Sequence, residues 1–564
     1  MRASYRSALI VAVTMWVAPS THAGDAGAQR DVPHVTISIV GTNDLHGHIE
    51  ALPRLGGYLA NLRRERARTG GGVVLVDAGD MFQGTLESNL NEGAAVVRAY
   101  NALKYDAAAI GNHDFDFGPV GPATGPRARG DDPRGALKAR AAEAQFPFLA
   151  ANLVDEKTGA LPKWPNVGAT TVVARGGVKI GIIGLANAGT AFMTLPANFA
   201  GLRALPLAPA VVDAAADLRR RGCAVVIVVA HVGGSCTQFT AADDPASCDA
   251  GGEIFQLARA LPTGTVDAIV AGHTHAGIAH RVGGIPIIES YDKGYGFGRI
   301  DIDLSLSKDR PRILGSAIRA PQPIPKPGTP LADRYEGADV VPDPAIEAAI
   351  APALTAARRQ RDLKLGVTIA RPIAPGYSAE SALGNLFADL MRAAHPKADV
   401  ALTSGGSLRA VLPAGVLTYG QLHEALPFDD RFVTITTTGA DLAAAVARNL
   451  GRAGGVVSLS GLRASAACVD GALRVTLSRA AGNPVGPAER LTLITSEFLA
   501  TGGADVLPAE VRAHALPAAG EPIRDVMADL LRARKTPLDP DNPPLYDAAH
   551  PRLGYPGRRP LHCR

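Results

Sequence analysis

The chain predicts an α/β protein of two domains. Short buried-strand runs alternate with amphipathic helical stretches, a proline-interrupted connector divides that alternation, and 564 residues exceed what one ordinary core holds. A hydrophobic content of 47% with 20% charged residues describes a globular chain rather than a disordered one. The formal charge of +4 is small for this length, and Lys and Arg are scattered among Asp and Glu. Charge therefore gives no reason to expect a nucleic-acid or membrane partner.

The first residues, MRASYRSALIVAVTMWVAPSTHAG, place Arg2 and Arg6 before the apolar residues 8–17 and small residues ending at Ala23. This reads as a signal peptide over 1–23, its apolar run too short to span a bilayer comfortably. The mature protein is expected to be periplasmic or secreted, without stable membrane insertion. Export makes the five cysteines readable. Cys236 and Cys248 flank the polar loop CTQFTAADDPASC with no nearby second His/Cys pair, which favours a local disulfide over a zinc site. Cys468 and Cys563 offer a second bridge that ties down the tail, and Cys223 opens the run CAVVIVVA as a buried thiol.

From 34 to 325 the runs HVTISIV, GGVVLVDAG, DAAAIGN, FPFLAANL, VKIGIIGLA, CAVVIVVAH and VDAIVAGH read as strands. GGYLANLRRERAR, APAVVDAAADLRRRG and GEIFQLARAL read as helices between them. Residues 326–364 break the pattern with prolines and finish as an Ala/Arg-rich helix, a connector. A second α/β domain is expected over 365–535, with strands ADVALTSGG, RFVTITTTG and LTLITSEFL and helices ESALGNLFADLMRAAH and ADLAAAVARNL. Residues 536–564 form a Pro-rich tail without periodicity.

The ends of the first domain's strands carry the chemistry. GTNDLHGH offers Asp44 and His46; DAGD offers Asp77 and Asp80; GNHDFDFG offers Asn112, His113, Asp114 and Asp116. VVIVVAH ends on His231, and GHTH offers His273 and His275. Loops at strand ends in an open α/β sheet converge on one crevice, so these groups can meet. One such residue is ordinarily a cap or a surface group; five strand ends each delivering Asp, Asn or His imply a metal site. Carboxylate, amide and imidazole donors without thiolate suit Mn, Zn, Fe or Co, and one aspartate can bridge two ions roughly 3.5–4 Å apart. Such a pair activates a water near neutral pH and fits hydrolysis of a phosphate ester.

DLHGH, DAGDMFQG, GNHDFDFG, AHVGG and GHTH, in that order, resemble the calcineurin-like metallophosphoesterases, and among them the exported 5′-nucleotidase family with its C-terminal substrate-binding domain. The resemblance covers nearly the whole mature chain. It implies a four-layer α/β/β/α metallophosphoesterase sandwich followed by an α/β substrate-binding domain. It also implies two divalent ions: one on Asp44, His46, Asp80 and His275, the other on Asp80, Asn112, His231 and His273, with Asp80 bridging. His113 and Asp116 match the family's catalytic dyad, the histidine stabilising the transition state and assisting the leaving group. Asp114, Asp77 and His48 stay outside this set, with Asp114 expected to contact a ligand rather than a metal.

Three stretches of the second domain resemble the family's substrate pocket. TSGGSLRAVLPAG combines the turn glycines Gly405 and Gly406 with Arg409, a fork for phosphate. LPFDD and SEFLATGGAD offer Phe428 and Phe498, the pair that in the family sandwiches a nucleobase. Three positions depart from the pattern: Ser404 stands for an asparagine, Ala504 intervenes before Asp505, and Tyr377 stands for a phosphate-gripping arginine. The expected activity is hydrolysis of phosphate monoesters, foremost 5′-nucleotides to nucleoside and phosphate, by a metal-activated water. The alternatives on the same scaffold are a diesterase for cyclic nucleotides or nucleotide sugars, a sulfur-ester hydrolase, or a non-catalytic binding protein with an eroded metal set. No member of the metal set is missing here. The sequence leaves oligomeric state open.

Overall fold

The structure, a computed structural model, describes residues 34–306, 311–326, 328–330, 333–516, 518–541 and 545–563. The expected signal at 1–23 lies outside the described residues. The first domain is built on two facing sheets. One has seven strands in the order Pro311–Pro323, Gly296–Leu306, His34–Thr42, Gly72–Asp77, Ala107–Ala109, Phe148–Leu149, Val167–Gly168, parallel from His34–Thr42 onward. The other has six, in the order Gly277–Val282, Ile285–Ser290, Ala268–Ala271, Val225–Ala230, Val178–Leu185, Thr170–Arg175, with a parallel centre and antiparallel edges.

The twofold repeat of a strand explains the layering. Along Val225–Ala230, alternate residues Val225, Ile227 and Val229 enter the core between the sheets, where they meet Ile37, Ile39, Val74 and Val76. Val226, Val228 and Ala230 face the other way, onto the helices Leu207–Arg220 and Glu253–Ala260. The outer face of the first sheet is covered by Leu52–Arg68 and Ala94–Leu103. Strands buried on both faces read as continuous apolar runs, which is what the sequence displays. The result is the expected four-layer α/β/β/α sandwich. The loops converge not at the end of one open sheet but along the shared edge of two.

The connector's helix, Pro344–Arg361, starts where Asp343 accepts from Ala345 N at 2.9 Å and Pro344 occupies its first turn. Ile346, Ile350 and Ala353 join the first domain's core, and Ala357 joins the second's, so this helix is shared structure. The second domain is a five-stranded mixed sheet ordered Val457–Ser460, Val400–Ser404, Arg490–Ser496, Arg431–Thr438, Ala519–Pro522. Ala382–Ala394 and Ile523–Ala533 cover one face, Gly439–Leu450 the other. Contacts between the domains include Gln83 Nε2 donating to Pro427 O at 2.8 Å and the Arg127–Glu497 ion pair at 2.8 Å.

Both expected disulfides are formed, Cys236–Cys248 and Cys468–Cys563, and Cys223 is a buried free thiol. The Pro-rich tail is docked on the second domain, where Leu553–Gly554 pairs parallel with Leu462–Val469.

Candidate active site

The loops that follow five strands are zipped to one another by their backbones. Asp44 N donates to Gly79 O and His46 N to Asp80 O, each at 3.0 Å. Asp44, His46, Asp80, His273 and His275 all have left-handed φ, between +48° and +81°. Five of the seven expected metal ligands thus sit where non-glycine residues are uncommon and strained, a mark of functional sites. Gly111 is needed for close approach: a Cβ there would meet Asp80 Oδ1 at 2.1 Å.

Two donor clusters result. Asp44, His46 and His275 offer atoms within 4.8 Å of one another, as do Asp80, His231 and His273. Asn112 joins the second, its Oδ1 3.0 Å from His231 Nε2. Asp80 lies between them, its Oδ2 3.1 Å from His231 Nε2 and 3.8 Å from His46 Nε2. Backbone carbonyls orient two rings: His46 Nδ1 donates to Gln83 O at 2.8 Å and His231 Nδ1 to Ala78 O at 2.9 Å. Each Nε2 is left facing inward, where His46 Nε2 lies 3.1 Å from His275 Nε2 and His231 Nε2 lies 3.2 Å from His273 Nδ1. Asp44 Oδ1 is buried with no hydrogen bond donated to it. Converging imidazole nitrogens and a buried carboxylate oxygen whose nearest partner is His275 Nε2 at 3.3 Å, without a well-formed hydrogen bond, are what a cation site needs.

Electrostatics points the same way. Burial opposes charge on Asp44, but His275 overrides it and holds the carboxyl at about 2. Burial likewise opposes charge on Asp80, which His231 and His113 keep well below the usual range. Against their own burial, His231 is pushed up to about 10 by Asp80 and His275 up to about 9 by Asp44 and Asp292. Burial and repulsion by His231 take His273 down to about 3, and burial with Arg409 keeps His46 neutral. The carboxylates draw in positive charge while two imidazoles stay unprotonated as donors.

His113 belongs to neither cluster. Its Nδ1 lies 2.6 Å from Asp116 Oδ2, whose other oxygen accepts from Thr194 Oγ1 at 2.8 Å, while His113 N donates to Asp80 Oδ1 at 2.8 Å. Asp114 does what the sequence led us to expect. It accepts from Gly111 N, Met81 N and Asp80 N at 2.8, 3.0 and 3.3 Å, and burial and Asp80 push it up to about 8. Asp77 braces its strand end through Thr42, Tyr100 and Gly79 N. His48 lines the cavity and pairs with Glu50 at 3.1 Å.

Over the clusters lies a cavity of about 830 Å³ between the domains. Arg409 reaches in from the second domain, its Nη2 donating to His46 Nε2 at 3.1 Å. Phe428 and Phe498 line the cavity with one flank and pack on the second domain's cores with the other; the Phe428 ring centre is 5.6 Å from that of His113. Gly406 is on the wall, but Gly405 is behind it. A Cβ on Gly405 would meet Gly376 O at 2.5 Å, so this glycine serves close backbone packing rather than substrate contact.

The sequence reading missed four participants. Asp292 lies 3.2 Å from His275 Nδ1 and orients it. Thr194 holds Asp116. Arg448 and Arg452 together engage Asp505, with Arg448 Nη2 at 2.7 Å from both carboxylate oxygens. Asp292 and Thr194 stand in no motif, and Arg452 lies beyond the end of the helix that carries Arg448, so no helical spacing announced the pair.

The pattern that defines the calcineurin-like phosphoesterases matches residues 37–277, and that of the 5′-nucleotidase C-terminal domain matches 364–510. The chain is 26% identical over 491 residues to endonuclease YhcR of Bacillus subtilis, an alignment covering 83% of this chain and 37% of that protein. It is 25% identical over 505 residues to protein UshA of Escherichia coli, covering 83% and 86%. Among solved structures, the 5′-nucleotidase precursor of Thermus thermophilus shares the fold with a TM-score of 0.71 at 22% identity, covering 92% of this chain and 99% of that one. The chain therefore belongs to the 5′-nucleotidase family of calcineurin-like phosphoesterases and is a metal-dependent phosphoester hydrolase.

Proposed function

We propose that this is an exported phosphomonoesterase acting on nucleotide-sized substrates, foremost 5′-nucleotides. The observation that carries the reading is the convergence of two donor clusters, the His113–Asp116 pair and Arg409 on one cavity large enough for a nucleoside. Asp44, His46, Asp80 and His275 would hold one divalent ion and Asp80, Asn112, His231 and His273 a second, of Mn, Zn, Co or Fe type, with Asp80 shared. When bound, such a pair supplies Lewis acidity and a water activated near neutral pH.

The chain's own groups do the rest. Arg409 pairs with the phosphate through its fork. Asp116 fixes the His113 ring through Nδ1 and Thr194 fixes Asp116, which leaves His113 Nε2 to the cavity. Water oxygen attacks phosphorus, the ester P–O bond breaks, the departing oxygen takes a proton from His113 Nε2, and the proton that the water gives up returns to His113 for the next cycle. Phe428 and Phe498 flank the leaving group. Stacking accepts any planar base, whereas Ser404, Ala504 and an Asp505 already held by two arginines provide few directional contacts to base or sugar. Adenine, guanine and pyrimidine nucleotides should be turned over with little preference.

Export is supported by residues 1–23 and by two disulfides. Among the described residues no helix is long and apolar enough to cross a membrane. A relative called an endonuclease raises diester cleavage as the second reading. A net charge of only +4, with Lys and Arg scattered among Asp and Glu, speaks against a polynucleotide. Phosphate release from a panel of nucleotides, small monoesters, diesters and sulfur esters, with metal-free protein reloaded with Mn, Co or Zn, tests the reading. Monoester turnover led by nucleotides supports it; turnover led by diesters or sulfur esters, or by none, overturns it.

A further inference from the structure

The tail reaches the cavity from behind. Arg559, half-buried, bonds no carboxylate among the described residues; its guanidinium gathers carbonyl oxygens. Nη2 donates to Asn449 O at 2.6 Å, Asn449 Oδ1 at 3.3 Å and Arg452 O at 3.3 Å, and Nη1 donates to Gly454 O at 3.2 Å and Ser378 O at 3.5 Å. Asn449, Arg452 and Gly454 line the cavity, as does Tyr377 beside Ser378. Asn449 closes the helix Gly439–Leu450, whose last carbonyls lack partners within the helix. The Arg559 guanidinium satisfies one of them, Asn449 O, and suits the negative end of the helix dipole.

The network continues inward. Asn449 Nδ2 donates to Gly455 O at 2.9 Å, its Oδ1 accepts from Val457 N at 3.1 Å, and Arg452 pairs with Asp505 on the wall beside Phe498. The tail itself is anchored by Leu561 N donating to Leu450 O at 2.9 Å and by the Cys468–Cys563 disulfide. One guanidinium from the last residues thus joins two stretches of the wall that lie far apart in the chain, Tyr377–Ser378 and residues 449–454.

We propose that Arg559 is a positioning residue for the leaving-group end of the cavity, making the C-terminal tail a determinant of which esters bind. Leaving groups that reach the wall formed by Tyr377 and residues 449–455 depend on it; esters too small to reach that wall do not. This rests on the nucleotide reading above.

The test compares full-length R559M, R559K and R463M with the parent protein, using a 5′-nucleotide and glycerol phosphate. Arg463 holds the tail elsewhere, through His550 O and Pro551 O at 2.5 and 3.1 Å, away from the cavity. R559M is expected to raise the nucleotide KM about tenfold with kcat within about threefold and glycerol phosphate turnover within about twofold; R559K falls between, and R463M matches the parent. Amide hydrogen exchange over 449–455 is expected to quicken in R559M, a readout that needs no substrate. A nucleotide KM within about twofold of the parent, equal losses on both substrates, equal effects of R559M and R463M, or unchanged exchange would each overturn the proposal. If R559M does not accumulate, C563S, which frees the tail's covalent anchor, carries the same kinetic and exchange tests. A parent protein that hydrolyses no nucleotide sinks the proposed function, while exchange over 449–455 still decides whether Arg559 holds the wall.

Discussion

The strand-end loops of the first domain and the cavity wall of the second meet over the same space but are built differently. In the first, five donors have left-handed backbones, backbone carbonyls hold the His46 and His231 rings, and Asp44, His46, Asp80, Asn112 and His231 are buried. In the second, Phe428 and Phe498 divide themselves between core and cavity, and Tyr377 is 61% exposed. Chemistry is held by rigid elements that tolerate little displacement, and selectivity is left to a wall that can change residue by residue. The departures Ser404, Ala504 and Tyr377 all fall on that wall, and no member of the metal set is missing.

The contrast can be broken first at Asp80. Asp80→Ala removes the donor proposed to serve both ions and should lower turnover by roughly 10⁴ or more, beyond any other single ligand change. Metal analysis of that variant should show loss at both sites; loss of one ion with activity largely kept would dissolve the distinction.

His113→Ala comes next, with kcat lowered by roughly 10²–10⁴ and metal content unchanged. An ion lost from this variant would make His113 a ligand. Asp116→Asn should lower kcat less, because Thr194 still holds the side chain in place.

Asp292→Asn is expected to weaken metal affinity roughly 10–100-fold, since it alters only the group orienting His275. Competition with a chelator measures this, and affinity equal to the parent's would show that His275 needs no such brace.

The smallest effects belong to the wall. Phe428→Ala or Phe498→Ala should raise nucleotide KM by about 1–3 kcal/mol each while leaving a small phosphate ester nearly untouched. Arg409→Ala should weaken both substrates together, because phosphate is the part they share. Unchanged nucleotide KM in both Phe variants would assign those rings to the core alone.

The first domain's site was legible because each donor directly follows an apolar run whose end is plain in the sequence. Strand, turn and ligand form one local signal, as in AAAI followed by Gly111, Asn112 and His113. The facing arrangement of two sheets was not legible at that level, since continuous apolar runs reveal burial on both faces but not which sheet a strand joins. The antiparallel edge from Gly277–Val282 through Pro311–Pro323 went unread; its last strand is largely exposed and lacks a buried run. Asp292, Thr194 and Arg559 act through contacts with residues far along the chain, and their neighbours carry no pattern. The connector looked like a linker because its prolines interrupt it, yet Ile346 and Ile350 at helical spacing bury it in the first core.

Titrating metal-free protein with Mn while following both bound metal and phosphate release from a 5′-nucleotide tests the central claim most directly. Two ions with Asp80 shared between them, as proposed, predict that activity rises until about two equivalents are bound and that Asp80→Ala abolishes it at any metal concentration. Full activity at one equivalent or less, or an Asp80→Ala variant restored by excess metal, would contradict a dinuclear site.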